Sequence, residues 1–97
     1  MYWSKKRVIT AFKKAFPEIS GVHDGADWYG HESNSVHLGD IAEGGTVNGV
    51  PGADYWAEDY EEKVYTFGVH NDINKFFNDK GWFVECHDPG TYFAYPE

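Results

Sequence analysis

The sequence lacks the residues that a disulfide framework or a membrane anchor would need. It has one cysteine in 97 residues, which excludes an internal disulfide and a cysteine-rich zinc module and is typical of a reducing compartment. No apolar run approaches the roughly 18 residues that cross a membrane. Lys13 and Lys14 also interrupt the apolar stretch that a signal peptide would need. We therefore expect a soluble cytoplasmic protein that does not bind a membrane.

Cations are missing from the middle of the chain. Between residues 18 and 62, which we call the acidic tract, there is no lysine or arginine. The carboxylates of the acidic tract are Glu18, Asp24, Asp27, Glu32, Asp40, Glu43, Asp54, Glu58, Asp59, Glu61 and Glu62. An ordinary solvated surface mixes charges of both signs, and unbalanced charge destabilises a compact state. The tract thus suggests a surface that meets a cationic partner, against the simpler alternative of charge that only aids solubility.

The basic residues gather at the other end of the chain. Five of them, Lys5, Lys6, Arg7, Lys13 and Lys14, precede residue 15, while the whole chain carries a net charge of −8. Apolar residues at helical spacing predict a helix over 5–16 with a basic outer face. That face could bind nucleic acid, but the acidic remainder would repel phosphate, so a solvated face is the better interpretation.

Apolar residues make up 41% of the chain and aromatic residues 19%, which indicates one globular domain over 1–97. Periodicity and turn residues predict further helices over 54–67 and 71–80, with a strand over 63–69 as the alternative to the end of the first. Strands are expected at 27–31, 35–38, 82–86 and 91–95, with turns at Asn48-Gly49 and Asp88-Pro89-Gly90. The predicted fold is α+β: a small antiparallel sheet with two or three helices packed on one face, burying Phe12, Phe76, Phe77 and Trp82.

Motifs for catalysis are weak. The histidines match no compact zinc-ligand spacing. Cys86-His87-Asp88 resembles a nucleophile, base and orienter, but neighbouring residues of a strand point to opposite faces, so a half-buried strand cysteine is the better interpretation. No glycine-rich phosphate loop is present. We therefore expect no catalytic residues, no metal and no cofactor.

The acidic tract supports a binding function. On a helix over 54–67, carboxylates three and four residues apart stand about 5–6 Å from one another, a spacing that lets them imitate phosphates along a DNA groove. Such a surface would occupy the basic DNA-binding site of another protein without itself binding nucleic acid. The residues expected to contact this partner are Asp27, Glu32, Asp40, Glu43, Asp54, Glu58, Asp59, Glu61 and Glu62.

Five features of the chain occur together: short length, one cysteine, a lysine-rich first helix, the acidic run from Trp56 to Glu62 and a tyrosine-rich C-terminal hairpin. In these features the chain resembles phage-encoded DNA-mimic inhibitors. Among these the chain is most similar to small anti-CRISPR proteins that block type I-F surveillance complexes. The resemblance implies a monomer in the host-cell cytoplasm that occupies the groove where target duplex is gripped. The alternative is an acidic immunity or adaptor protein that neutralises a basic toxin or enzyme.

Overall fold

A computed structural model describes residues 2–27, 34–54 and 64–97 of the chain. In chain order, these residues form α1 (Lys5–Ala15), β1 (Val22–Asp24), a 3-10 helix (Gly25–Asp27), β2 (Val36–Leu38), β3 (Thr46–Val47), β4 (Val50–Pro51), β5 (Tyr65–Thr66), β6 (Val69–His70), α2 (Asn71–Asn78), β7 (Trp82–Asp88) and β8 (Thr91–Pro96). None of the helices in these ranges is long and apolar enough to span a membrane.

The main sheet has four antiparallel strands in the order β1-β2-β8-β7. Val36 of β2 lies opposite Ala94 of β8, which in turn lies opposite Val84 of β7. Because side chains alternate between the faces of a strand, these three residues share one face of the sheet. They belong to the same apolar cluster as residues of both helices, so the helices cover this face.

Both helices begin at residues whose side chains satisfy free amides. The Ser4 hydroxyl accepts the Arg7 N–H at 3.3 Å at the start of α1, and Nδ1 of His70 accepts the Asp72 N–H at 3.0 Å at the start of α2. The side chains of Ser4 and His70 thus take the place of the helical acceptors that the first turn lacks.

The two helices meet through aromatic rings. Phe12 of α1 stacks on Phe77 of α2 with ring centroids 5.2 Å apart, and its edge-on contact with Phe76 is 5.5 Å. Phe12, Phe77 and Trp82 are fully buried and Phe76 packs against them. The indole N–H of Trp82 donates to the carbonyl oxygen of Trp3 at 2.8 Å, which holds the N-terminal segment on the core. The α+β prediction and its aromatic core are confirmed.

The two predicted turns join hairpins in the structure. Asn48 and Gly49 connect β3 and β4 with φ angles of 53° and 82°, the signature of a type I′ turn. Asp88, Pro89 and Gly90 connect β7 and β8, and Oδ1 of Asp88 accepts the Gly90 N–H at 3.0 Å. A register shift between Cys86 and Asp88 places a bulge at the end of this hairpin.

The chain around residue 65 was predicted wrongly. Instead of the end of a helix over 54–67, β5 and β6 form a hairpin with Phe67 and Gly68 in the turn. The strand alternative over 63–69 identified the extended conformation but missed this turn. Tyr65 and Thr66 are aromatic and β-branched, so pairing with Val69 and His70 outweighs the helical spacing of the apolar residues. Residues 55–63, which include the predicted acidic helix face, lie outside the described ranges.

Two further predictions need correction. The predicted strand over 27–31 is wrong at its first residue, because Asp27 ends the 3-10 helix Gly25–Asp27. Residues 28–31 lie outside the described ranges. Cys86 is exposed rather than half-buried, because β7 extends past the core towards its turn, where the side chains become exposed.

Candidate partner-binding surface

The predicted partner-binding residues divide into three groups in the structure. Asp40, Glu43 and Asp54 have described side chains. Asp27 ends the 3-10 helix, and its side chain is outside the description. The residues outside the described ranges altogether are Glu32, Glu58, Asp59, Glu61 and Glu62.

Asp40 is half-buried and organises the turn after β2. Its Oδ1 accepts the backbone N–H of Ser20 at 2.8 Å, and its carbonyl oxygen accepts the N–H of Gly45 at 2.8 Å. A carboxylate that accepts backbone hydrogen bonds within its own fold has fewer acceptor sites left for a partner. One carboxylate oxygen of Asp40 is therefore engaged within the fold, and its carbonyl oxygen also accepts the Glu43 N–H at 2.9 Å within the turn.

Gly39 explains why this turn is so tight. Its φ is +59°, a left-handed conformation that side chains disfavour. A Cβ at this position would also collide with the carbonyl oxygen of Ser20. The close approach holds the segments around residues 20 and 40 together.

Glu43, Asp54 and Asp88 form what we call the acidic edge. Glu43 is exposed, and a Cβ on Gly90 would lie 3.2 Å from its Oε2, which places this carboxylate beside the β7–β8 turn. The exposed Asp88 belongs to that same turn. Asp54 and Pro89 line one open groove of about 360 Å³. The structure therefore places Glu43 and Asp54 of the acidic tract near the β7–β8 turn, which carries Asp88.

Other carboxylates of the acidic tract have structural roles. Glu18 accepts hydrogen bonds from the Thr46 hydroxyl and, at 3.2 Å, from the Gly49 N–H. These bonds, with the Thr46 hydroxyl contributing most, lower the pKa of the Glu18 carboxyl. The same bonds connect the β3–β4 hairpin to the segment after α1, and they are strongest when the carboxyl is ionised.

Asp24 links the acidic tract to the basic helix. Nζ of Lys5 lies 2.7 Å from its Oδ1, and the Ala26 N–H donates to the same atom at 2.9 Å. The Lys5 hydrogen bond is the main cause of a lowered pKa for the Asp24 carboxyl. One of the five N-terminal cations is thus used within the protein.

The outer face of α1 remains basic in part. The guanidinium carbon of Arg7 lies 3.7 Å from the centre of the Trp3 ring, so Arg7 is packed in a cation–π contact. Lys6, Lys13 and Lys14 are exposed. Lys13 and Lys14 stand in the last turn of the helix, where positive charge is favourable.

The sheet face opposite the helices carries a row of aromatic rings. The alternation of residues along the strands did not predict this row. His37 stands between His23 and Phe93, with ring centroids 4.8 and 5.1 Å away. His37 is only 7% exposed, and its Nδ1 accepts the Gly39 N–H at 3.1 Å. Burial, followed by the charge of His23, lowers the pKa of His37. Among the side chains that the structure describes, no group of three or more potential ligands is placed to hold a metal ion.

Two features of the surface were missed from the sequence. Asp88 was identified only as a turn residue, and the fold brings its turn beside Glu43. Phe67 falls within the predicted helix over 54–67, yet it is 97% exposed at a hairpin tip. The glycine at position 68, between the paired strand residues Tyr65-Thr66 and Val69-His70, is the signal that points to a turn there.

The chain was compared with protein-family models, curated proteins and solved structures. None of these comparisons gives a significant match.

Proposed function

We propose that this protein is a non-enzymatic DNA mimic that blocks the basic DNA-binding site of a nucleic-acid-binding protein. The observation that carries the proposal is the 45-residue acidic tract, with eleven carboxylates and no lysine or arginine. The exposed Glu43 and Asp88 support it, because Glu43 lies beside the turn that carries Asp88 and neither residue is buried. A cationic groove is the partner that such a surface complements.

The specific candidate for the partner is a type I-F CRISPR surveillance complex, whose lysine- and arginine-lined groove grips duplex DNA. The protein would act as a monomer in the cytoplasm of the host cell. Direct binding to DNA is disfavoured by the net charge of −8, which repels phosphate. An acidic immunity or adaptor protein would use the same electrostatics on another basic partner.

The test reverses charge at two positions of the acidic tract. We expect Glu43→Lys with Glu61→Lys to weaken binding to the purified surveillance complex by roughly 30-fold or more, because like charges facing across an interface cost several kcal/mol. Isothermal titration calorimetry measures the affinity. The matched control, Glu85→Lys with Glu97→Lys, changes net charge equally at exposed positions outside the tract. It should bind within about threefold of wild type.

Two results would contradict the proposal. Equal losses in both double variants would mean that total charge, rather than this surface, controls the interaction. A shift of duplex DNA by the protein alone in a native gel would show that the chain binds nucleic acid directly, with Lys6, Lys13 and Lys14 as the exposed cations to test next.

A further inference from the structure

Phe67 is an exposed aromatic residue in an unfavourable backbone conformation. It stands in the turn between β5 and β6 with φ +52° and is 97% exposed. The other large exposed apolar residues of the described ranges are Tyr2 at 45% and Val50 at 37%. Among the residues that the structure describes, Phe67 is therefore the large apolar side chain left most completely in water.

The β3–β4 hairpin provides an internal comparison. Asn48 and Gly49 have φ angles of 53° and 82°, while Phe67 and Gly68 have 52° and 79°. Asparagine adopts the left-handed region readily, whereas a bulky side chain there is an outlier. The same turn is thus built once with a favourable residue and once with phenylalanine. Neither turn geometry nor packing accounts for the phenyl ring.

The backbone that carries Phe67 is held from several directions. Nδ2 of Asn74 donates to the carbonyl oxygens of Thr66 and Val69 at 3.3 and 3.2 Å. The hydroxyl of Tyr65 donates to the Pro51 carbonyl at 2.7 Å. A projecting ring on a braced turn loses little conformational entropy when it is bound.

The surroundings of Phe67 combine a groove of mixed polarity with the start of an acidic stretch. Phe67 borders an open groove of about 560 Å³, lined by polar residues of α2, among them Asn74 and Lys75, and by the apolar Phe83 and Val84 of β7. The N–H of Asp54 donates to the Gly68 carbonyl at 2.7 Å, which ties the start of the acidic stretch 54–62 to the turn. An aromatic anchor next to charge is typical of a protein interface.

From these contacts we infer that Phe67 is the apolar anchor of the inhibitory surface. It inserts into a pocket on the basic surface of the protein partner, while carboxylates of the acidic tract contact the cations around that pocket. A second copy of this chain or an anionic membrane is disfavoured as the occupant, because each would face a chain of net charge −8. This inference rests on the proposed function, since the partner is the same.

The experiment compares three variants on the purified type I-F surveillance complex by calorimetry. Phe67→Asn recreates the Asn-Gly turn of the first hairpin, so the fold is retained, which a melting curve verifies. We expect it to bind at least about 30-fold more weakly, the loss typical of a central aromatic contact. Phe67→Trp keeps a large ring and should bind within about threefold of wild type. The control, Val50→Thr, alters an exposed apolar residue of the other hairpin and should bind as wild type does.

The outcomes separate the anchor from the function. If Phe67→Asn binds with wild-type affinity, Phe67 is not the anchor, and the proposed DNA-mimic function is unaffected. Absence of binding by the wild-type protein would overturn both. A wild-type dimer that Phe67→Asn converts to a monomer in sedimentation equilibrium would assign Phe67 to a self-interface and overturn the inference.

Discussion

Phe67 gives the sharpest prediction for a single side chain. Replacing it with asparagine should raise the free energy of unfolding by roughly 1 kcal/mol, because asparagine tolerates the left-handed backbone and the exposed ring loses no buried contacts. For a domain of this size such a gain raises Tm by about 4–8 °C. A calorimetric melt of Phe67→Asn checks this. A lower Tm would show that the ring packs within the fold, contrary to its exposure.

His37 makes the stability of the protein depend on pH. Its buried ring accepts the Gly39 N–H at Nδ1, so the neutral form must carry its proton on Nε2. The folded pKa is lowered from 6.5, so the unfolded chain binds the proton first as pH falls. The stabilisation is complete above about pH 6.5 and is lost as the pH falls through the folded pKa.

Urea unfolding between pH 7.5 and 5 measures this loss. His37→Asn should flatten the dependence in that interval, whereas His87→Asn, at an exposed position of β7, should leave it intact. An unchanged pH profile in His37→Asn would contradict the assignment. Because its pKa is lowered, His37 also gains less positive charge near pH 6.5 than an unperturbed histidine would.

At the level of helices and strands, the Lys5–Asp24 pair joins α1 to the edge strand β1. Its side chains are 23% and 40% exposed, so solvent screens the pair and it contributes no more than about 1 kcal/mol. Because the Asp24 pKa is lowered, this contribution is present above pH 4 and is lost as the pH falls through the folded value. Asp24→Asn should therefore be destabilised at pH 7.

Denaturant titrations of Asp24→Asn and wild type at pH 7 and pH 3 test this coupling. The difference between the two proteins should shrink at pH 3, because this is below 3.8, the ordinary pKa at which the Asp24 carboxyl of the unfolded chain takes up its proton. Asp79→Asn is the control, since its partner Lys75 lies on the same helix and is mostly exposed. A constant difference across pH would contradict this coupling, because the bonds from Lys5 and from the Ala26 amide both favour the ionised carboxylate.

The sequence predicted those helices and hairpins whose ends are marked by capping or turn residues. Ser4 begins α1, Asn48-Gly49 and Asp88-Pro89-Gly90 make turns, and Gly81 follows α2. The β5–β6 hairpin was missed because its turn begins with Phe67, a residue that turns disfavour. β1 was missed because Val22–Asp24 is a three-residue strand whose pairing with β2 is decided by tertiary contacts.

At the scale of the complete chain, charge segregation could be read from the sequence, but the acidic edge could not. Glu43 and Asp88 lie 45 positions apart, and the pairing of β2 with β8 together with the turn at Gly39 brings their segments near each other. Asp40 is one of the residues predicted to contact a partner, and the structure adds that its carboxylate accepts a hydrogen bond from the Ser20 amide. How each carboxylate of the tract is placed thus depends on backbone packing, which composition does not reveal.

Competition between the protein and target duplex tests the DNA-mimic proposal most directly. The purified type I-F surveillance complex is saturated with one of the two, the other is titrated in, and the bound species are separated on a native gel. Mutual exclusion in both orders of addition is the predicted result, because one basic groove would hold either the duplex or the acidic surface. A stable ternary complex, with duplex at its normal site and this protein bound, would contradict the proposal.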